Sequence, residues 1–378
     1  SSIVFENMIT TLEDLPDEVL LIILNNFSVA TVHYAFDKLN ARFNCILNDK
    51  YLRLTFDTKN IPDRLFYDFC DSVLLKYADR LVSLTLSKPI ELFSSNSQIK
   101  FHQLEVLKIA GCSMSFSLLS VLKQLQNLCK LSKLFICVPL LESNSVCRMI
   151  LCKNYLSQLK MFYIVFDSFI SLNGANHILI IPNNLKHLSL QCDINDLLLV
   201  LKYSPKLEYL NVVTCGNIQT LTNNFVLELK YLKINIKNVS YVNLFNILNI
   251  VPNLNRFKLT GYVQDPDFFN GENLSGLIPL TLDNFQMIIK TGVEHQGSID
   301  PNKISTVLNK DRCDWYSVQQ KTDGLCLELS VRSIKKCRLL PTTDPTTIER
   351  HLPQPSTVKC IMKAFFVTVA VAIAYYLF

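Results

Sequence analysis

The chain has 378 residues, 49 % hydrophobic and 18 % charged, a balance that excludes a disordered chain and leaves room for two or three domains. Its net charge of +5 sits between residues 331 and 363, where seven basic residues face two acidic ones; the remainder holds 30 of each sign. A neutral body does not point to nucleic-acid binding through phosphate neutralisation.

The first element in chain order is DLPDEVLLIILNNF, residues 14–27. Pro16 suits the first turn of a helix, where its missing N–H costs nothing. Asp17 and Glu18, with Asp14 beside them, suit the positive end of the helix dipole. Leu20, Ile23, Leu24 and Phe27 follow helical spacing on one face, while Val19 and Ile22 lie on the other. Such a helix needs cover on two sides. Ser28 is placed to cap a second helix carrying Val32, Ala35, Phe36 and Leu39. Phe43, Ile46 and Leu47 predict a third. About forty residues are too few for a stable core, so these helices must pack on the rest of the chain, on a partner, or on both.

LEDLPDEVLLIILNNF followed by VHYAFDKLNARFNCIL resembles the F-box, a family with a Leu-Pro-x-Glu opening and spaced leucines and isoleucines. Here the opening is Leu15, Pro16, Asp17, Glu18. The second half departs from many members in having no tryptophan after Leu47. The resemblance spans about residues 10–55 and implies docking on a Skp-type adaptor and, through it, a cullin. It implies that Leu15, Pro16, Leu20, Ile23, Leu24 and Phe27 contribute to that contact. Helix pattern alone equally suits a helical hairpin that caps the domain after it.

From residue 80 a triad of apolar residues recurs with the spacing LxxLxL. It reads Leu81–Leu84–Leu86, Leu104–Leu107–Ile109, Leu131–Leu134–Ile136, Leu159–Phe162–Ile164 and Leu185–Leu188–Leu190. Leu207–Leu210–Val212, Leu229–Leu232–Ile234 and Leu254–Phe257–Leu259 follow, then a weaker Leu282–Phe285–Met287. A period in the twenties with this spacing is the signature of leucine-rich repeats. LKYSPKLEYLNV (201–212) and LNIVPNLNRFKL (248–259) align at an offset of 47 residues, two repeats, with Pro205 and Pro252 matched. Helices are predicted over 117–128, 196–203 and 243–250. Cys112 and Cys215 each follow a triad by three residues, where the repeat pattern wants a side chain that turns inward. Cys147 and Cys152 read as core positions on a helix.

An F-box followed by such repeats resembles the F-box/leucine-rich-repeat class of ubiquitin-ligase substrate receptors, over roughly residues 10–290. The expected fold is α/β. A short helical domain at 10–55 leads into an irregular solenoid at 56–290, with parallel strands on the concave face and helices on the convex face. The target protein is not identified by the sequence.

Residues 291–340 are expected to cap the solenoid. DWYSVQQKTDGLCLELSV (314–331) reads as a hairpin with Asp323–Gly324 as its turn signal, and Trp315 is expected to pack over the last repeat. The polar, proline-rich stretch 341–359 reads as a linker. An apolar tail at 360–378 then follows. AFFVTVAVAIAYYLF, 364–378, would span about 22 Å as a helix, against a bilayer core of about 30 Å. With the basic excess before it and Tyr375 and Tyr376 near its end, the tail reads as a membrane anchor holding the body in the cytosol. A buried C-terminal helix or strand is the other reading.

No chemistry-bearing motif stands out. The six histidines are dispersed, and GxSxG, GxxxxGKS, GxGxxG and HExxH are all absent. The thirteen cysteines contain no CxxC pair, so neither a zinc site nor any other metal is expected. The first residues lack a basic region and an apolar run, which leaves the cysteines reduced in a cytoplasmic protein. No catalytic residue and no cofactor is expected. His187 falls at an outward strand position, either on a binding surface or simply exposed.

Overall fold

The computed structural model describes most of residues 12–332; besides shorter gaps it omits 88–100, 111–124, 173–180, 219–227 and 292–314, and residues 333–378 lie outside it. The architecture is α/β: one open, mostly parallel sheet of twelve strands in sequence order, except that the last two are exchanged.

Three short helices open the described chain: α1 (Asp17–Leu24), α2 (Val29–Phe36) and α3 (Ala41–Leu47). Pro16 stands at the cap of α1, and the Ser28 hydroxyl caps α2 by accepting the Thr31 N–H at 3.2 Å. Asn40 caps α3 in the same way through the Phe43 N–H at 2.9 Å. The predicted second face is one residue too long. α2 stops at Phe36, the chain turns through Lys38 with φ of 63°, and Leu39 emerges into solvent. Val32, Phe36, Phe43, Ile46 and Leu47 are buried as their spacing requires.

The sheet begins with β1 (Leu54–Asp57), a strand the triad pattern does not reveal, against which α2 packs. β2 (Leu81–Leu86), β3 (Val106–Ala110), β4 (Lys133–Cys137) and β5 (Met161–Val165) follow. Next come β6 (His187–Asp193), β7 (Tyr209–Cys215), β8 (Tyr231–Lys237), β9 (Arg256–Tyr262) and β10 (Asn284–Thr291). Each of these pairs in parallel with its sequence neighbour. The central residue of each of the nine triads meets the next in direct register, from Leu84–Leu107 to Phe257–Phe285. None of them is more than 2 % exposed. Burying a side chain of this size stabilises by roughly 1.5–3 kcal/mol, so register and core reinforce each other.

Strand entry is equally regular. In seven of the nine triads, from Glu105 O to Asn255 O, the carbonyl two residues before the central residue accepts two N–H groups from the next strand, as Lys186 O does from Glu208 and Tyr209 at 2.9 Å each. On the buried face lie α4 (Ser143–Cys152), α5 (Ile194–Tyr203) and α6 (Tyr241–Ile250). α5 turns Leu197, Val200 and Leu201 inward and contacts β6 and β7. The 47-residue offset holds at every boundary: α5 and α6, and β7 and β9, start and stop 47 residues apart. Both helices end on a residue near φ −120°, ψ 60°, immediately before Pro205 and Pro252. Of the other predicted positions, the helix over 117–128 and Cys112 fall largely outside the described residues.

β11 (Trp315–Lys321) and β12 (Gly324–Arg332) form the predicted antiparallel hairpin. Lys321 pairs with Gly324, so Gly324 begins a strand rather than closing the turn. β12 adds antiparallel to β10, leaving β11 at the edge. A single hydrophobic core runs from Leu20 to Leu327, and β1 and β10 cross the expected boundaries at 55/56 and 290/291. Among the described residues no helix is long and apolar enough to cross a membrane; the apolar tail 360–378 and the linker 341–359 lie outside them.

Candidate functional site

Two exposed faces gather the residues that sequence reading singles out. The first is the outer side of α1. Leu20 and Leu24 are 0 % and 1 % exposed and belong to the chain's own core. They are closed to any partner in this conformation, so their part in a contact is limited to holding the helix in place. Leu15, Ile23 and Phe27 are half-buried, and Phe27 lies 6.2 Å from the Phe36 ring. Pro16 is exposed, as are Val19 and Ile22, the latter at 63 %. The opposite-face pair is therefore the apolar surface left uncovered.

Arg42 fixes the entry to this helix. Its guanidinium pairs with Asp17 at 2.6 Å and donates to the backbone carbonyls of Glu13 and Leu15. The Asn40 amide adds a bond to Glu13 Oε1 at 2.8 Å. Asp17 thus serves an ion pair as well as the helix dipole. Nothing local in the sequence announces Arg42, because its partners lie more than twenty residues upstream.

The second face is the exposed side of the sheet. Along it the direct-register row His187, Tyr209, Tyr231 forms a stack, with centroids 5.6 Å and then 4.4 Å apart and the two tyrosine rings within 7° of parallel. His187 therefore belongs to an ordered aromatic ladder. Burial and the adjoining Tyr231 push the Tyr209 phenol above its ordinary value. One row on, Phe135 and Tyr163 approach to 6.0 Å, with the Lys108 ammonium 5.5 Å from the Phe135 centroid. Beside Tyr163 a depression of about 250 Å³ is lined by Val165, Gln191, Asn211, Val213 and Lys233. Asn211 donates to Ser189 Oγ at 2.9 Å on its floor.

Cys215 corrects an expectation. β7 runs on for three residues past Val212 without breaking alternation, so Thr214 turns inward at 0 % exposure and Cys215 faces outward with Tyr209 and Asn211. Cys147 and Cys192 are fully buried, and burial pushes the Cys192 thiol well up, away from reactivity. The side chain of Cys152 lies outside the description. Among the described residues no group of three His, Cys, Asp or Glu side chains is placed to hold a metal ion. The two faces offer ring stacking, hydrogen bonding and apolar contact, the chemistry of recognition.

Compared with models of known protein families, the chain matches none. Compared with curated protein sequences, it has no significant match.

Proposed function

We propose that this chain is the target-recognition subunit of a Skp–cullin–F-box type ubiquitin ligase, with F-box-like helices leading into a leucine-rich-repeat solenoid. The observation that carries the reading is α1, which buries Leu20 and Leu24 in its own chain yet leaves Val19 and Ile22 in water, directly after a Leu-Pro-Asp-Glu opening. An adaptor would cover that second apolar face. In-order parallel strands carrying the LxxLxL triads support the repeat reading. Their exposed side would be the concave surface that holds the target, with ubiquitin transfer left to other subunits. In this reading the body works in the cytosol and residues 360–378 tether it to a membrane.

The test is a pulldown with purified Skp-type adaptor, comparing wild type with Ile22→Asp. Leu20→Asp is the wrong probe, since it places a charge in the core. Ile22→Asp is expected to abolish adaptor binding while thermal stability stays within about 0.5 kcal/mol of wild type. A folded wild-type chain that fails to bind the adaptor would sink the reading.

One observation favours a second reading, a repeat scaffold with no ligase role. α2 packs on β1, and Ser28 forms a parallel bridge to Thr55, so the helices already close the first edge of the sheet. A cap needs no adaptor, and on that reading Ile22→Asp changes no adaptor contact.

A further inference from the structure

We propose that the exposed face of β8–β10 binds an acidic segment of a partner protein, with carboxylates seated between Lys233 and Lys258. The proposal rests on reading the sheet face as the target-binding surface. The outward positions of these three strands carry Lys233, Lys237, Arg256, Lys258 and Lys290 and no acidic residue. Lys233 and Lys258 stand in direct register on neighbouring strands. Such strands lie about 4.8 Å apart, and like charges placed directly opposite destabilise a sheet. Neither lysine has an ion-pair or hydrogen-bonded carboxylate among the described residues.

The chain neutralises comparable lysines elsewhere. At the strand entries Glu208 sits between Lys186 and Lys230, at 2.7 and 3.4 Å. Among the described outward strand positions from β3 to β9 the only carboxylate is Asp193, which is engaged in capping α5 through the Asn195 N–H at 2.8 Å. On β12 the register sets Glu328 opposite Ile288, not opposite a lysine. The unneutralised pair adjoins the features an extended peptide uses: Lys233 lines the depression, and Tyr231 on the same strand presents a ring stacked on Tyr209. A nucleic acid would also meet cations and rings here. It needs a wider positive field, however, and the body outside residues 331–363 balances 30 basic against 30 acidic residues. A short run of carboxylates fits better.

The experiment measures fluorescence anisotropy of a labelled oligoglutamate peptide titrated with the full chain at low ionic strength. Wild type is expected to bind, and Lys233→Ala/Lys258→Ala to weaken binding about tenfold. Lys186→Ala/Lys230→Ala, which removes equal charge at the rim, should stay within about twofold. Equal losses in both variants, or no wild-type binding, would overturn the proposal. So would tighter binding of a single-stranded oligonucleotide of matched charge. The thermal midpoint of Lys233→Ala/Lys258→Ala is expected to hold or rise, because a like-charged pair has gone; a fall would mean the lysines serve the sheet itself and would also overturn it. Adaptor pulldown on the same preparations separates the two ideas. Adaptor capture without peptide binding defeats only this inference, and peptide binding without adaptor capture defeats only the ligase reading.

Discussion

Tyr77 is fully buried, and its hydroxyl has no hydrogen-bond partner among the described residues. Burial pushes its phenol up to about 12, so it stays neutral throughout the physiological range. A buried hydroxyl without a partner carries a desolvation cost that a benzene ring does not. Tyr77→Phe is therefore expected to raise stability by about 1 kcal/mol, read from urea unfolding; a loss of that size would reveal a partner for the oxygen. Beside it, 6.2 Å ring to ring, lies His33. Burial holds the His33 imidazole below its ordinary 6.5; Lys76 and Lys38 push the same way, and Asp37 at 3.2 Å opposes them. Below pH 6.5 the unfolded chain takes up a proton at this site more readily than the folded one. Stability from this site is complete above that pH and falls as pH drops through 6.5 toward the folded value. Asp37, held below 3.8 chiefly by the Lys76 hydrogen bond, keeps its contribution until more acid conditions. Thermal midpoints measured from pH 7 to pH 5 are expected to decline, and His33→Gln to flatten that decline. An unchanged slope in the variant would place the proton uptake elsewhere.

At the scale of elements, Gly261 shows why a strand interior can require glycine. It lies in β9 with φ of 141°, in register between Ile236 and Ile289, and a Cβ there would sit 2.0 Å from the Ile236 carbonyl oxygen. Gly261→Ala must shift backbone or break the β8–β9 ladder, and is expected to cost roughly 2–4 kcal/mol in chemical unfolding; a cost below about 0.5 kcal/mol would mean the strands separate freely at that point. No sequence pattern marks this glycine, because the clash comes from a strand 25 residues away. The strands themselves were legible. One buried face imposes a two-residue period, and nine triads supply it, so β2 to β10 appear where the leucines place them. β1 escaped because it is only four residues long, Leu54–Asp57, and lies before the recurring triads begin at Leu81. Cys215 misled because the triad alone does not say how far a strand continues beyond its last leucine. The α1 face was half legible. Spacing separates Leu20 and Leu24 from Val19 and Ile22, but only packing decides which pair the chain covers.

For the molecule as a whole, each strand from β2 to β9 pairs in the sheet only with its sequence neighbours, so unfolding need not be uniform along the sheet. Trp315, the sole tryptophan, lies on β11, which pairs with β12 alone. In a urea titration, tryptophan emission is expected to change before far-ultraviolet circular dichroism is lost. Coincident transitions would instead show that the end strands melt with the rest. The in-order sheet has one more consequence. Because every parallel strand advances the chain in the same direction, the sheet is a molecular ruler. From β1, against which the helices dock, to Lys258 on β9 is eight steps, about 38 Å along the sheet at about 4.8 Å per step. Removing two strands that lie between β1 and β8 would draw the two ends together by about 10 Å while keeping the α1 face, Lys233 and Lys258. Reach and recognition are thus set by separate parts of the same chain, one by the number of strands and the other by what their outward side chains carry.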